Sequence, residues 1–511
     1  MASADKRSAT ENEGHLCSIH DFALESSRMN EAIANLEPEA VWRHFAAISA
    51  IPRCSKKEEN VRDYVIGVAR AAGLDYQTDA VGNVVVRRPG AGASSASAPV
   101  SLQGHLDMVC EKNMDVEHDF DTDPISLLVD GDWLTADRTT LGADNGIAVA
   151  MMLAILESDE TPLPPIECIF TVDEETGLTG ALQIDPAIVT GRTLINLDTE
   201  EEGFFCIGCA GGKNTYGTLP LVWEDAGTGT GMIVRVTGLR GGHSGVEIHQ
   251  ERGNSLVLGS RLLDRILREV PGARVADLRG GDKHNAIPRE FQAVLEVPSG
   301  DVATVQSVVT AMEADFRDEL GDREPHLAAA AERTDRPDRV IAGDGARRVA
   351  DLLLSLPHGV LGMSHDVPGL VETSTNLAAV RIEDGALSLL TSQRSSRGSL
   401  IEWASDVVCA AIRLAGGTPR AAEAYPAWPP RPDSPLLRTA VEVYRRVTGA
   451  DPEVGAFHAG LECGVINDRV GGMDMISFGP DMTGVHTPDE RLNIPSTART
   501  WTLLLELLRA L

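Results

Sequence analysis

The sequence predicts an α/β protein in which a mostly parallel sheet, assembled from both ends of the chain, is interrupted by an inserted α+β domain. Three observations carry this. The chain has 511 residues, too many for one hydrophobic core when domains run to roughly 150 residues. Between Val100 and Leu197, short and continuously apolar runs alternate with helical spacing, the pattern of a parallel sheet covered on both faces. After about Gly212 the texture changes to alternating strands and amphipathic helices, and from Thr418 it returns to the first kind.

Each element follows in order. Residues 1–35 are polar, of mixed charge and without period, and are expected to form a disordered tail. Helical spacing covers 37–49 and 58–72. Residues 76–88 read as a hairpin turning at Val81-Gly82-Asn83, and 91–97 as a surface loop. Strands are expected at 100–103, 166–172 and 193–197, with a helix at 147–158. These make up the first part of the sheet domain, 36–213. The insert, 214–397, holds strands at 232–236 and 291–297 and helices at 254–269 and 303–316. Residues 317–339, rich in Arg, Asp and Ala, read as a long surface connection. Asn285-Ala286-Ile287 and Asn376-Leu377-Ala378 each open a strand segment, so the insert is expected to contain two α+β units. The second of these units runs through strands at 379–382 and 386–391 to a helix at 399–414, and the second part of the sheet domain, bounded at 398–511, holds a helix at 436–447, a strand at 475–478 and a last helix at 497–510.

Composition excludes several functions. With 76 acidic and 45 basic residues the net charge is −31, which opposes a grip on nucleic acid and docking on an anionic membrane. No basic segment followed by an apolar run marks a secretory signal. The apolar run 146–156 is far shorter than the ~18–20 residues of a membrane span. A cytoplasmic protein is expected. Eight cysteines in a chain of this length form no disulfide framework. Cys206 and Cys209 form a lone Cys-x-x-Cys and, like Cys17, Cys54, Cys110, Cys168, Cys409 and Cys463, read as ordinary buried thiols.

Five segments place metal-competent side chains just after apolar strands, where open α/β sheets bind ligands. In Gly104-His105-Leu106-Asp107, the His and Asp point to one side of an extended segment, so one can ligate while the other orients; a solvated or capping pair is the plain alternative. In Gly142-Ala143-Asp144-Asn145-Gly146, the Asp stands at a helix entrance, as an N-cap or as a carboxylate approaching two cations. Asp173-Glu174-Glu175 ends a strand with three carboxylates; a solvated charge run is one reading, and a metal ligand beside a general base is the other. Asn196-Leu197-Asp198 and Gly484-Val485-His486-Thr487-Pro488-Asp489-Glu490 complete the set. Mixed imidazole and carboxylate donors suit Zn²⁺ or Mn²⁺. Gly242-His243-Ser244-Gly245 only superficially suggests a nucleophile elbow, because its serine is displaced from the nucleophile position.

This ordered set resembles the M20 family of co-catalytic metallopeptidases, and the wording of Gly142–Gly146 and Glu174–Ala181 is similar to its aminoacyl-histidine (Xaa-His) dipeptidases. The segments Gly241–Gly245, His284–Glu290, Val371–Asn376, Thr391–Ser396 and His458–Gly464 agree, so that the resemblance runs from about Leu36 to Leu511. The resemblance implies a discontinuous di-metal catalytic domain with the insert as a lid. It implies one metal on His105 and one on His486, Asp144 bridging them, and Glu175 and Asp198 completing the two sets. Asp107 would orient His105, and Glu174 would be the general base acting on a hydroxide held by the two metals. For the substrate it implies His243 at the oxyanion, Asn285 as a holding group, Arg394 at the C-terminal carboxylate and Glu462 at the free amine. The expected activity is hydrolysis of unblocked dipeptides such as β-alanyl-histidine, with two divalent ions per chain, zinc first and manganese second, in a homodimer. The competing readings are an N-acyl amino acid deacylase of the same family, and a binding protein that has lost catalysis.

Overall fold

The structure, a computed structural model, describes residues 33–511. Apart from its last three residues, the expected tail 1–35 lies outside the described residues, as does Cys17. The chain divides into two compact units. The first holds the residues up to Phe204 with Ser434–Glu453 and Gly472–Leu511; the second holds Phe205–Asp433 and Val454–Gly471.

In the first unit six strands lie side by side in the order Asp75–Thr78, Val84–Arg88, Ile166–Thr171, Val100–His105, Thr193–Asn196 and Asp474–Ser477. The first two pairings are antiparallel and form the expected hairpin and its neighbour. The next three are parallel. The register sets His105 opposite Thr171, and Asn196 opposite both Gln103 and Ser477. The carboxyl ends of all four parallel strands therefore reach the same edge. The strands Val100–His105 and Ile166–Thr171 are buried along their whole length, and their polar members are matched across the pairing, Ser101 Oγ donating to Glu167 Oε1 at 3.1 Å and Gln103 Nε2 to Thr171 Oγ1 at 3.2 Å. The helix Ala143–Glu157 is buried almost all round and packs on the strand Val100–His105 and the helix Glu39–Ser49.

The second unit is built on one nine-stranded antiparallel sheet. Its order is Ala328–Thr334, Thr230–Thr237, Phe291–Val297, Arg274–Gly281, Val371–Glu383, Ala386–Ser395, Gly211–Pro220 and Thr418–Ala421, with Gly359–Met363 also beside Val371–Glu383. The two α+β stretches read from the sequence meet within this single sheet, where Arg279, Gly280 and Gly281 pair with Arg381, Val380 and Ala379. The helices Ser255–Glu269, Val302–Leu320, Gly345–Ser355 and Gly398–Leu414 contribute to one apolar core with it. Asn254 starts the first of these by accepting the backbone N–H groups of Leu256 and Val257.

Three sequence expectations are corrected. The bound at 397 falls too early: the helix Gly398–Leu414, read from the sequence with the second α+β stretch, does belong to the second unit, because Val408 and Ile412 on its buried face join that unit's core. The stretch 317–339 is not only a surface connection: Ala328–Thr334 is an edge strand paired with Thr230–Thr237. Its run of alanines has little β-propensity, so tertiary pairing decides its state. Cys54 and Cys110 are not free thiols but a disulfide, with Cα atoms 5.8 Å apart. A parallel bridge between Cys54 and Met108 brings their segments together, a proximity no local pattern encodes.

Candidate metal centre

Three loops at the carboxyl ends of parallel strands, together with the loops carrying Asp144 and His486, assemble one polar cluster in the first unit. Asp144 is at its middle. Its Oδ1 lies 3.1 Å from Nε2 of His105, and its Oδ2 lies 3.1 Å from Nε2 of His486. Nε2 of His105 is 3.5 Å from Oδ1 of Asp198, and Nε2 of His486 is 3.1 Å from Oε2 of Glu175. Two donor sets with the spacing of metal ligands result, His105–Asp144–Asp198 and Asp144–Glu175–His486, and they share Asp144.

The loops are held by side chains that do not belong to either set. Asp107 is fully buried and accepts from Glu174 N at 3.0 Å, Glu175 N at 3.2 Å and Ser55 Oγ at 2.7 Å, with its Oδ1 3.4 Å from Nδ1 of His105. Nδ1 of His105 also faces the Asp107 backbone carbonyl at 3.2 Å, so carbonyl and carboxylate of one residue fix the His105 ring, and the carboxylate fixes the Glu174–Glu175 backbone. Asp173 is turned inward, where Thr176 and Thr179 donate to it and its own N–H reaches Glu58 Oε1 at 3.0 Å. The charge run is therefore not solvated. Its first member is structural, and the next two reach the cluster, where Glu174 and Glu175 stand within ligand distance of His105.

Asn145 cross-links two loops, accepting from His105 N at 3.2 Å and donating to Leu197 O at 2.9 Å. Gly104 makes room for it, since a Cβ there would lie 2.4 Å from Asn145 Oδ1. Glu490 accepts from Leu141 N, Gly142 N, Ala143 N and Asp144 N, tying the His486 loop to the Asp144 loop. The buried Arg53 donates to the carbonyls of Leu106, Asp107 and Gly142. Sequence reasoning assigned no role to Arg53, Ser55 or Glu490, and read Asn145 only as a helix cap beside Asp144. Asn145 and Glu490 sit inside motifs that were already singled out, whereas Arg53 and Ser55 carry no sequence signal.

The electrostatics describe a site made for positive charge. Burial opposes protonation of His105, yet the Asp198 charge and the close approach of the Asp107, Asp144 and Asp198 carboxylates raise its pKa well above the ordinary value. Hydrogen bonds to Asp144 and Glu175 lift His486 to about 11. Burial lifts Asp198 to about 6, with Asp144 and Glu175 adding to the rise. Desolvation and the charges of Asp144 and Asp198 push Glu200, at the rim of the cluster, to about 7. Carboxylates this crowded and desolvated need compensating cations. Glu175 Oε1 and Asp198 Oδ1 are buried without a hydrogen-bond partner. These orphan oxygens and the N/O donor set fit two divalent metal ions.

The sequence signature of Peptidase family M20/M25/M40 matches residues 101–510. The chain belongs to this family. It is thereby a hydrolase acting on peptide bonds. This M20 peptidase is 37% identical over 478 residues to the cytosol non-specific dipeptidase of Escherichia coli (strain K12), covering 93% of this chain and 98% of that one. The crystal structure of aminoacylhistidine dipeptidase from Vibrio alginolyticus superposes with a TM-score of 0.87 at 35% identity, over 95% of this chain and 99% of that one. The aminopeptidase PepT of Bacillus cereus shares the fold, with a TM-score of 0.53 at 14% identity over 93% of this chain and 99% of that one.

The four remaining sequence-derived residues of this M20 peptidase lie in the second unit. His243 pairs with Ala286, and Ser244 N donates to Asn285 O at 2.8 Å, so His243 and Asn285 lie on adjoining turns. Nδ1 of His243 accepts from Gly245 N and Val246 N, which leaves the neutral ring's proton on Nε2. Burial and the Arg394 charge lower its pKa to about 4. Arg394 is buried, with Nη1 2.9 Å from the Tyr425 hydroxyl. Glu462 is fully buried at the start of the helix Glu462–Val470. Cys206 and Cys209 are buried thiols with pKa values pushed up to about 12 and about 11 by burial, with no metal-ligand group around them among the described residues.

Proposed function

We propose that this M20 peptidase is a metal-dependent dipeptidase that hydrolyses unblocked dipeptides, Xaa-His dipeptides such as β-alanyl-histidine among them. The observation that carries the reading is Asp144, whose two carboxylate oxygens each face a different histidine at 3.1 Å, with Asp198 and Glu175 closing the two donor sets. His105, Asp144 and Asp198 would hold one ion, and Asp144, Glu175 and His486 the other. Zinc is proposed first and manganese second. Bound there, the pair would polarise the scissile carbonyl and lower the pKa of the attacking water.

The chain's own groups then act as follows. Glu174 is placed beside the ligands by the Asp107–N–H contact. It takes the proton of the attacking water and returns it to the leaving amine as the C–N bond breaks. Asp107, held to about 2 because His105, Ser55 and Glu174 N–H outweigh its burial, stays ionised and orients the His105 ring. His243, neutral and with its proton on Nε2, donates to the carbonyl oxygen as negative charge develops there. Asn285 holds the substrate backbone, Arg394 its free carboxylate, and Glu462 its free amine. The second unit is the lid in this reading. The relative in Escherichia coli is named a cytosolic enzyme, and no helix among the described residues is long and apolar enough to cross a membrane; a cytoplasmic homodimer is proposed.

The test is a panel of dipeptides and N-acyl amino acids assayed with added Zn²⁺ or Mn²⁺ and with a chelator. Chelator-sensitive cleavage of free dipeptides is expected. Cleavage of N-acyl amino acids alone would make the protein a deacylase, and metal binding without turnover on either class would make it a binding protein.

A further inference from the structure

We infer that His458, set by Ser374, is a specificity-determining residue that donates a hydrogen bond to the free C-terminal carboxylate of the substrate, alongside Arg394; this rests on the dipeptidase reading above. The arrangement follows from strand register. Arg394 is paired with Ser374 on one side and Gly212 on the other, and directly opposed residues of neighbouring strands share a face of the sheet. Ser374 carries the imidazole: its Oγ is 2.7 Å from Nε2 of His458. Gly212 carries the phenol. It exchanges backbone hydrogen bonds with Tyr425 at 3.2 and 2.9 Å, and a Cβ at Gly212 would stand 2.5 Å from the Tyr425 hydroxyl. The guanidinium is thus flanked by His458 over one neighbour and Tyr425 over the other.

This cluster is built for a ligand that carries acceptors. Arg394 and His458 are 6% and 5% exposed, yet Nε of Arg394 and Nδ1 of His458 have no partner in hydrogen-bond geometry among the described residues, the Val371 backbone being the group that acts on the His458 ring besides Ser374. Buried polar groups are rarely left unmatched in a native fold, so two of them beside one charge call for a partner. Burial and the Arg394 charge hold His458 neutral, with its pKa down to about 3. A neutral imidazole can donate through Nδ1 only if Nε2 accepts, and the Ser374 hydroxyl is placed to donate to Nε2. Ser374 is thereby a positioning residue that fixes the tautomer. One cation flanked by a neutral donor matches a monoanion. A carboxylate satisfies the cluster, whereas the NH₂ of a C-terminal amide meets donors with a donor.

The experiment measures kcat and KM for one dipeptide and for the same dipeptide amidated at its C-terminus. It uses wild type, His458→Leu, His458→Asn and Ser374→Ala, with metal content and melting temperature determined for each. Loss of a charge-assisted hydrogen bond should raise KM for the free acid about 10- to 100-fold in His458→Leu, with the loss falling on KM and not on kcat. KM for the amide should stay in place, so that the preference for the acid collapses. His458→Asn, which puts an amide nitrogen near the position of Nδ1, should recover part of it, and Ser374→Ala should lose part of it. Metal content should not change. A folded His458→Leu enzyme with the wild-type acid-to-amide ratio, or one in which KM rises equally for both substrates, overturns the inference. If the His458 variants do not fold, Ser374→Ala decides, and an unchanged ratio there overturns it. A wild type that cleaves no dipeptide overturns the function reading itself, which separates the two failures.

Discussion

Replacing Glu490 with glutamine should loosen the metal centre without removing a ligand. One oxygen of Glu490 accepts from Leu141 N at 2.8 Å and Gly142 N at 3.0 Å, and the other from Ala143 N at 2.8 Å and Asp144 N at 3.3 Å. In the variant one oxygen becomes an NH₂, and two backbone donors face a donor. Each hydrogen bond to a charged group is worth about 1.5–3 kcal/mol, so losing two costs about 3–5 kcal/mol after partial relaxation. The loop released in this way ends on Asp144, the carboxylate between the two histidines. Loss of such a supporting contact lowers metal affinity about 10- to 100-fold. The assay is calorimetric titration of chelator-treated protein with Zn²⁺ and Mn²⁺, beside thermal melting of the metal-free form. Affinity should fall by that factor, and the metal-free protein should melt lower by roughly 2–4 °C per kcal/mol. Wild-type affinity together with wild-type melting of the metal-free protein would refute the claim that the four amides need this charge.

Glu174→Gln should keep both metals by elemental analysis and lose about 10²–10⁴-fold in turnover; a drop in metal content instead would make Glu174 a ligand. Gly259→Ala should destabilise the second unit by about 1–3 kcal/mol, because the new Cβ would lie 2.2 Å from the ring of the buried Phe291; denaturant melts measure this, and an unshifted midpoint would show that the ring can give way. Stability should also fall in acid through buried histidines. Burial lowers His358 to about 4, below the roughly 6.5 of an unfolded chain. The unfolded state therefore binds more protons between those two values, and stability is lost as pH falls through that window. His358→Gln should flatten the slope of melting temperature against pH from about 6.5 down to about 4; an unchanged slope would place the acid sensitivity elsewhere.

Much of the site was legible in the sequence because its residues sit at the ends of apolar strands. Glu174, Glu175 and Asp198 follow mostly apolar runs that mark buried parallel strands, His105 and Asp107 close a neighbouring strand, and that architecture delivers strand ends to one edge. Asp144 was visible as a carboxylate at a helix entrance, but its position between two imidazoles was not. His486 is separated from Asp144 by most of the chain, and only the folded structure brings the two within 3.1 Å. The alanine strand Ala328–Thr334 and the disulfide Cys54–Cys110 escaped the sequence for one shared reason. Each depends on a partner segment and not on its own residues.

The sequence by itself determined the periodicities, and through them the fold class, the apolar strands and the chemistry available at their ends, because burial writes its pattern locally. The tertiary structure decided which unit each helix joins, which carboxylate of Asp173-Glu174-Glu175 turns inward, and how Arg53 and Glu490 clamp the ligand loops. It also decided that Ser374, Arg394 and Gly212 stand abreast and so bring His458 and Tyr425 to one guanidinium. These are matters of register and long-range hydrogen bonding, and their energy exists only once segments far apart in the chain have met.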